Sequence, residues 1–161
     1  MSVDFDALPG SSRIWVFQSD RALQQAEVRQ LSGFLEAFLQ VWRAHGKELQ
    51  SAYKIVERIF LVVAVNDAIQ KATGCSIDLL FRKIGEWEQG FGLTFTNRWL
   101  TAYRSGGEIK IASLSAFKEA VQSGEITRET VVFNTMVSNK KAFQNYFETR
   151  AVQSWHKKYL V

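Results

Sequence analysis

The chain has 161 residues, of which 47% are hydrophobic and 22% charged, and it contains a single proline. This composition is typical of one compact domain and excludes a disordered or low-complexity protein. The net charge of +4 is spread along the chain, so it does not predict the basic stripe of a nucleic-acid-binding protein.

Hydrophobic periodicity predicts an alternation of strands and helices. Strands are predicted where β-branched and aromatic residues run together, and helices where apolar residues are spaced three and four apart. In chain order the predicted elements are a strand over 13–18, a helix over 25–44, extended chain over 53–56 and 59–65, a helix over 77–91, a hairpin of 95–103 and 108–111, a helix over 114–122, a strand over 130–133 and a helix over 138–149. The extended chain is either one bent strand or a hairpin arm followed by a central strand.

Glycines and serines mark the predicted ends of these elements. Gly46 ends the first helix, and Ser76 is the predicted N-cap of the second. The Gly106-Gly107 pair suits the tight turn of a hairpin, and Ser113 is the predicted N-cap of the helix that follows it.

The order βαβαββαβα predicts an α+β (mixed α/β) protein with one mixed sheet covered by helices. Parallel and antiparallel neighbours are both expected. We expect residues 1–161 to form a single domain, in which residues 1–11 are a short N-terminal extension and residues 151–161 a docked C-terminal tail.

The sequence also bears on compartment and cofactors. Its longest apolar run, residues 59–65, is much shorter than the roughly 20 residues that span a membrane as a helix. Residues 1–9 lack the basic and apolar regions of a secretory signal, and the only cysteine, Cys75, cannot form an internal disulfide or a multi-cysteine metal centre. We therefore expect a cytoplasmic protein without a cofactor.

The pentapeptide of residues 74–78 is the strongest candidate for a functional site. Gly74, Cys75, Ser76 and Asp78 lie where a helix is predicted to begin. A helix N-terminus presents unpaired backbone N–H groups, which bind anions and favour a thiolate. The alternative is structural: Cys75 is a small packed residue, while Ser76 and Asp78 cap the helix and complement its dipole.

The other polar candidates also have two interpretations. His45 or His156 is a potential base for a Cys75 nucleophile, whereas in the structural alternative His45 caps a helix C-terminus and His156 anchors the tail. Asn134 and Trp155 extend the candidate ligand-binding set, or else serve a turn and the packing of the tail.

Carboxylates give only a weak prediction of a metal site. Asp67 follows the apolar run and Asp78 begins a helix, positions from which carboxylates bind divalent ions in many hydrolases. Two scattered carboxylates do not make a metal centre, so none is predicted. Arg21 has no predicted partner.

Several segments together resemble an uncharacterised family of bacterial cytoplasmic proteins of about this length. The segments are Trp15 to Arg21, His45-Gly46, Gly74 to Asp78, Val132-Phe133-Asn134 and Ser154-Trp155-His156. Members of the family often carry the label "ABC transporter ATPase". ATP hydrolysis of that class requires a Gly-rich loop ending in Gly-Lys-Ser or Gly-Lys-Thr, which this chain lacks, so we expect no ATPase activity. In the family the apolar strand ends in acidic residues, whereas here only Asp67 is left of that pair.

These observations lead to three functional hypotheses. The first is a non-enzymatic domain that binds a protein partner or a small anionic ligand near residues 74–78, and the second is a hydrolase or transferase with Cys75 as nucleophile. The third, weak nucleic-acid binding, would use Lys140, Lys141, Lys157 and Lys158, although two short basic pairs are more typical of a solvated surface. Five Trp and twelve Phe residues also allow an apolar patch through which two copies pair.

Overall fold

The chain folds into four layers, in the order helices, sheet, sheet and helix, in a computed structural model that describes residues 1–161. The strands are β1 (Arg13–Gln18), β2 (Arg43–Ala44), β3 (Lys47–Glu48), β4 (Ser51–Val56), β5 (Phe60–Val65), β6 (Leu100–Ser105), β7 (Glu108–Ser113), β8 (Val131–Phe133) and β9 (Glu148–Arg150). The α-helices are α1 (Gln25–Val41), α2 (Gly74–Phe91), α3 (Leu114–Gln122) and α4 (Lys140–Tyr146), and short 3₁₀ helices cover Phe5–Ala7, Ala151–Gln153 and Trp155–Tyr159. The α+β class predicted from the sequence is confirmed.

The strands form three antiparallel sheets instead of the one mixed sheet predicted. Their orders are β1-β5-β4, β2-β3 and β7-β6-β8-β9. The local reason is turn chemistry: Glu57 and Arg58 both adopt positive φ between β4 and β5, and Gly106 and Gly107 do the same between β6 and β7. Tight turns of this kind, with three residues between β4 and β5 and two between β6 and β7, return the chain antiparallel to itself. The predicted extended chain is therefore a hairpin arm followed by a central strand.

Strand β5 is the centre of the core because both of its faces are buried. Its alternate residues Leu61, Val63 and Val65 pack in the cluster formed with α1 and α2. Its other face packs against the four-stranded sheet, where the Phe60 ring lies 4.9 Å from Phe133 and 5.0 Å from Phe147 between ring centroids. A third cluster lies on the far side of that sheet under α3. A fully buried side chain of this size contributes about 1.5–3 kcal/mol.

Helix α1 ends at Val41, three residues before the predicted end at position 44. Trp42 leaves the helix in an extended conformation, and β2 pairs with β3 immediately afterwards. His45 and Gly46 form the turn of this small hairpin, with φ of 52° and 73°. His45 therefore does not cap a helix, and Gly46 ends a strand rather than α1.

The starts of α2 and α4 also differ from the prediction. Thr73 is the N-cap of α2, and Ser76 occupies the third helical position, where the two residues form a reciprocal capping box. Helix α4 begins at Lys140 after its N-cap Asn139 and ends at Tyr146. The last residues of the predicted helix form β9 instead, because pairing with β8 outweighs their local helical pattern.

Both ends of the chain pack onto the folded body. Phe5 and Leu8 are buried in the cluster between the two larger sheets, and Ala151 and His156 are buried near α3. The buried Lys140 fixes the N-terminal segment, because its Nζ donates hydrogen bonds to the backbone oxygens of Asp6 at 3.1 Å and Leu8 at 2.6 Å. No helix combines the length and apolar character that crossing a membrane requires.

The partner that the sequence left unassigned for Arg21 is Glu27 at the start of α1. The guanidinium donates two hydrogen bonds of 2.8 Å to the Glu27 carboxylate and a third, of 2.9 Å, to the Phe91 oxygen at the end of α2. The bond from Arg21, followed by one from the Gln24 backbone, lowers the pKa of Glu27 to about 2. This pair joins the two helices that cover the three-stranded sheet.

Candidate functional site

A cleft of about 390 Å³ lies between the β2–β3 hairpin and the first turn of α2. Its lining residues are Arg43, Ala44 and His45 from the hairpin and Thr73, Gly74, Cys75, Ser76 and Leu79 from the helix. The fold thus brings three of the predicted site residues, Gly74, Cys75 and Ser76, together with His45. Sequence reasoning missed Arg43, because the helical pattern was extended to position 44 and hid the hairpin.

The two walls of the cleft are tied together at their base. The buried Trp42 precedes the hairpin, and its indole Nε1 donates a 2.9 Å hydrogen bond to the Ser76 backbone oxygen on α2. The Thr73 N–H donates to Ser76 Oγ at 2.7 Å, and the Ser76 N–H donates to Thr73 Oγ1 at 3.3 Å. Because these polar groups satisfy one another, the rim of the cleft is formed without a ligand.

The hydrogen-bond donors that line the cleft favour a negatively charged ligand. The backbone N–H groups of Gly74 and Cys75 occupy the first two positions of an 18-residue helix and have no backbone acceptor. Their partial positive charge is the end of the helix dipole. Acceptors within the protein compete only weakly with a ligand for the half-exposed Arg43 guanidinium. It donates one bond of 3.2 Å to the Gly46 oxygen and one of 3.4 Å to Glu48 Oε1. Together these donors can hold one anionic group.

The cleft also contains a thiol and an imidazole. Cys75 is exposed, so the interpretation of it as a packed core residue is wrong. His45 is likewise exposed on the opposite wall, at the tip of the hairpin. No hydrogen bond joins the two side chains. The thiolate is the nucleophilic form of a cysteine side chain.

The remaining predicted site residues do not line this cleft. Asp78 is exposed one turn further along α2, and the first turn of this helix contains no acidic residue, so the predicted role of Asp78 in complementing the helix dipole is wrong. Asn134 follows β8 and makes a local turn, in which its Oδ1 accepts a 3.0 Å hydrogen bond from the Met136 N–H. Trp155 and His156 pack beside α3 and the four-stranded sheet.

His156 is fully buried in a polar cluster with Thr101 and Ser154. Its Nε2 hydrogen-bonds to Thr101 Oγ1 at 2.6 Å, and its Nδ1 hydrogen-bonds to Ser154 Oγ at 2.8 Å. The Trp155 ring stacks on the imidazole at 3.8 Å between centroids. Burial, and secondarily the charge of Lys158, lowers the pKa of His156 to about 4. A buried neutral imidazole with both nitrogens engaged does not act as the base for Cys75.

A second cleft, of about 470 Å³, has an acidic rim that sequence reasoning did not single out. It lies beside the N-terminal segment and is lined by Ser2, Val3, Asp4, Phe5, Asp6, Glu36, Tyr53 and Lys54. The structure contains no group of three or more His, Cys, Asp or Glu side chains that could hold a metal ion. Asp67 and Asp78 line neither of the two clefts.

Comparisons of the chain with protein-family models, with curated proteins and with solved structures gave no match. The class of protein is therefore defined by the fold itself, an α+β protein of two packed antiparallel sheets with helices on its outer faces. The cleft at the start of α2 is the feature whose geometry and charge indicate a function.

Proposed function

We propose that the protein is a non-enzymatic domain that binds a small anionic ligand, through a phosphate or carboxylate group, in the cleft between the β2–β3 hairpin and α2. The observation that carries this proposal is the convergence of backbone N–H and guanidinium donors on one cleft. The N–H groups of Gly74 and Cys75 and the guanidinium of Arg43 all line it, and no carboxylate does. Charge-assisted hydrogen bonds of this kind contribute about 1.5–3 kcal/mol each.

The segments that carry the family resemblance support the same location. His45-Gly46 supplies the tip of the hairpin, and the pentapeptide from Gly74 supplies the first turn of α2. Two segments far apart in sequence thus form the opposite walls of one cleft. A protein partner that presents a phosphate or a carboxylate would occupy the same donors.

Titration with inorganic phosphate tests the proposal directly. We expect the backbone amide resonances of Gly74 and Cys75 to shift progressively in NMR spectra, because their N–H groups gain an acceptor. The substitution Arg43→Gln should weaken this binding about tenfold, which corresponds to the loss of roughly 1.4 kcal/mol. The matched control is Arg29→Gln, on the exposed face of α1 and outside the cleft, which should leave the affinity unchanged. Amide shifts that Arg43→Gln and Arg29→Gln alter equally would contradict a specific site.

A second candidate function is favoured by the thiol and the imidazole in the same cleft. In it His45 takes the proton of the Cys75 thiol, the thiolate attacks an acyl carbon and forms a thioester, and the same proton passes from His45 to the leaving group. Water then hydrolyses the thioester, which releases the acid and restores the thiol. The N–H groups at the start of α2 would stabilise the oxyanion. This enzyme would be a hydrolase or transferase of small acyl compounds.

Thiol reactivity separates the two functions. If the thiol is activated, iodoacetamide should alkylate Cys75 at neutral pH at least tenfold faster in the folded protein than in the denatured chain, because the helix N-terminus favours the thiolate. His45→Ala should lower that rate, whereas Ser154→Ala, at the buried cluster, should not. Equal rates in the folded and denatured chains would exclude the enzyme and leave the binding proposal standing.

A further inference from the structure

Strand β7 is the one six-residue edge strand whose backbone bonds to no segment beyond its neighbour in the sheet. The edge of β1 is paired at its first residues, where the Ile14 N–H donates to the Ser138 oxygen, before α4, at 3.0 Å. The edge of β4 is paired at its first residue, where the Val3 N–H donates to the Ser51 oxygen at 2.8 Å. The other edge of the four-stranded sheet, β9, has only three residues, whereas β7 has six.

The turn before β7 fixes which of its backbone groups point outward. In a two-residue hairpin the residues flanking the turn, here Ser105 and Glu108, are a hydrogen-bonded pair, and bonded pairs then alternate along the strands. The 3.0 Å bond from the Leu114 N–H to the Trp99 oxygen continues the same alternation. Ile109 and Ile111 therefore direct their N–H and C=O groups away from β6. Neither residue has a backbone partner outside the hairpin.

The side chains of β7 give this edge little protection against pairing. Ile109, Ile111 and Ala112 are each partly exposed. Edge strands are commonly guarded by a projecting lysine. The lysine of this strand, Lys110, is held on the outer face of the sheet by Glu125, at 2.5 Å between Nζ and Oε1.

We infer that β7 pairs antiparallel with β7 of a second copy of this chain, joining two four-stranded sheets into one. A register centred on Ile111 places Ile111 against its symmetry mate and Lys110 against Ala112. It also brings Glu108 to the first turn of the partner's α3, where a carboxylate complements the helix dipole. This charge complementarity, repeated by the two-fold symmetry, is the reason to choose a second copy as the occupant.

Two other registers, centred on Lys110 and on Ile109, are less favourable. A register centred on Lys110 places two ammonium groups opposite each other, which is destabilising. A register centred on Ile109 brings the paired strand into the turn at Gly106 and Gly107, whose positive φ values of 59° and 83° end the extended conformation. Ile111 is thus the expected centre of the interface.

The oligomeric state tests the inference without reference to the ligand cleft. Light scattering during size exclusion should give twice the chain mass of 18.4 kDa at high protein concentration, and the monomer on dilution. Ile111→Pro removes an N–H group that the hairpin does not use and should give a monomer at all concentrations. Ile111→Lys, which places two ammonium groups at the two-fold axis, should do the same, and the matched control Ile111→Val should remain a dimer. Circular dichroism verifies that each variant is folded.

Amide hydrogen exchange locates the interface on the strand. In the dimer the Ile109 amide should exchange slowly, and in the Ile111→Lys monomer it should exchange at least tenfold faster, while the Lys110 amide stays protected in both because it bonds to β6. A wild-type chain that is monomeric at every concentration overturns the inference. A dimer that survives both substitutions also overturns it, because the interface must then lie elsewhere.

Discussion

Replacing His156 by alanine is expected to lower the free energy of unfolding by about 3 kcal/mol, since it leaves a cavity and unpaired hydroxyls in the core. His156 has no exposed surface, and Thr101 and Ser154 would each lose their only side-chain partner. The Phe117 ring, 5.1 Å from the imidazole, would lose packing as well. Urea denaturation monitored by tryptophan fluorescence measures the change.

Two control variants test whether the loss of stability is specific to the His156 cluster or follows from the loss of any histidine or any one hydrogen bond. His45→Ala, at an exposed hairpin tip, should change the free energy of unfolding by less than about 0.5 kcal/mol. Ser154→Ala removes one hydrogen bond of the cluster and should cost about 1 kcal/mol. If His156→Ala cost no more than Ser154→Ala, the cluster would not be the anchor of the C-terminal segment.

The same residue sets the expected pH dependence of stability. The unfolded chain binds a proton at His156 near pH 6.5, whereas in the folded protein the pKa is lowered to about 4. The unfolded state therefore takes up the proton first as the pH falls. Stability should be fully present above pH 6.5 and decline through pH 4, by about 3 kcal/mol for a shift of this size. The decline between these values should be absent from His156→Ala, and a persistent decline would assign it to other groups.

His156 also shows which features of the structure could be predicted from the sequence and which could not. The family resemblance and the predicted C-terminal tail both include Ser154, Trp155 and His156, but Thr101, the partner of His156, lies 55 residues earlier in the chain. No local pattern encodes a contact of that range. By contrast β1, α3 and the turn at Gly106 and Gly107 are local features, set by residue type, capping and glycine conformation, and they are confirmed.

Predictions at element boundaries failed where tertiary pairing outweighed local pattern. Val41 ends α1 because the next residues pair as a hairpin, and the strand β9 replaces the end of a predicted helix because β8 offers it partners. The residues of the candidate site also divide into those that a local pattern predicts and those that only tertiary pairing brings into place. Gly74 and Cys75 were predicted from a local motif, whereas Arg43 was hidden in the overextended helix and became visible only when the hairpin placed it opposite them.

Replacing Lys140 by methionine is expected to lower the free energy of unfolding by about 2 kcal/mol, although methionine keeps most of the apolar stem. The Lys140 ammonium donates to two carbonyl oxygens of the N-terminal segment, those of Asp6 and Leu8, and the residue is 4% exposed. Losing two charge-assisted hydrogen bonds of about 1.5–3 kcal/mol each is partly offset, because the variant no longer buries a charge.

The adjacent residue gives a closely matched control for that substitution. Lys141 is exposed, so Lys141→Met has the same chemistry without the buried contacts and should change the free energy of unfolding by less than about 0.5 kcal/mol. Chemical denaturation of the two variants, with amide exchange at Phe5 and Leu8, distinguishes a local release of the N-terminus from a global loss of stability. Equal effects of the two substitutions would mean that the ammonium does not hold the segment. A large effect confined to Lys140 would show that this lysine has a structural role. Of the predicted basic set, only Lys141, Lys157 and Lys158 would then have charges available to bind nucleic acid.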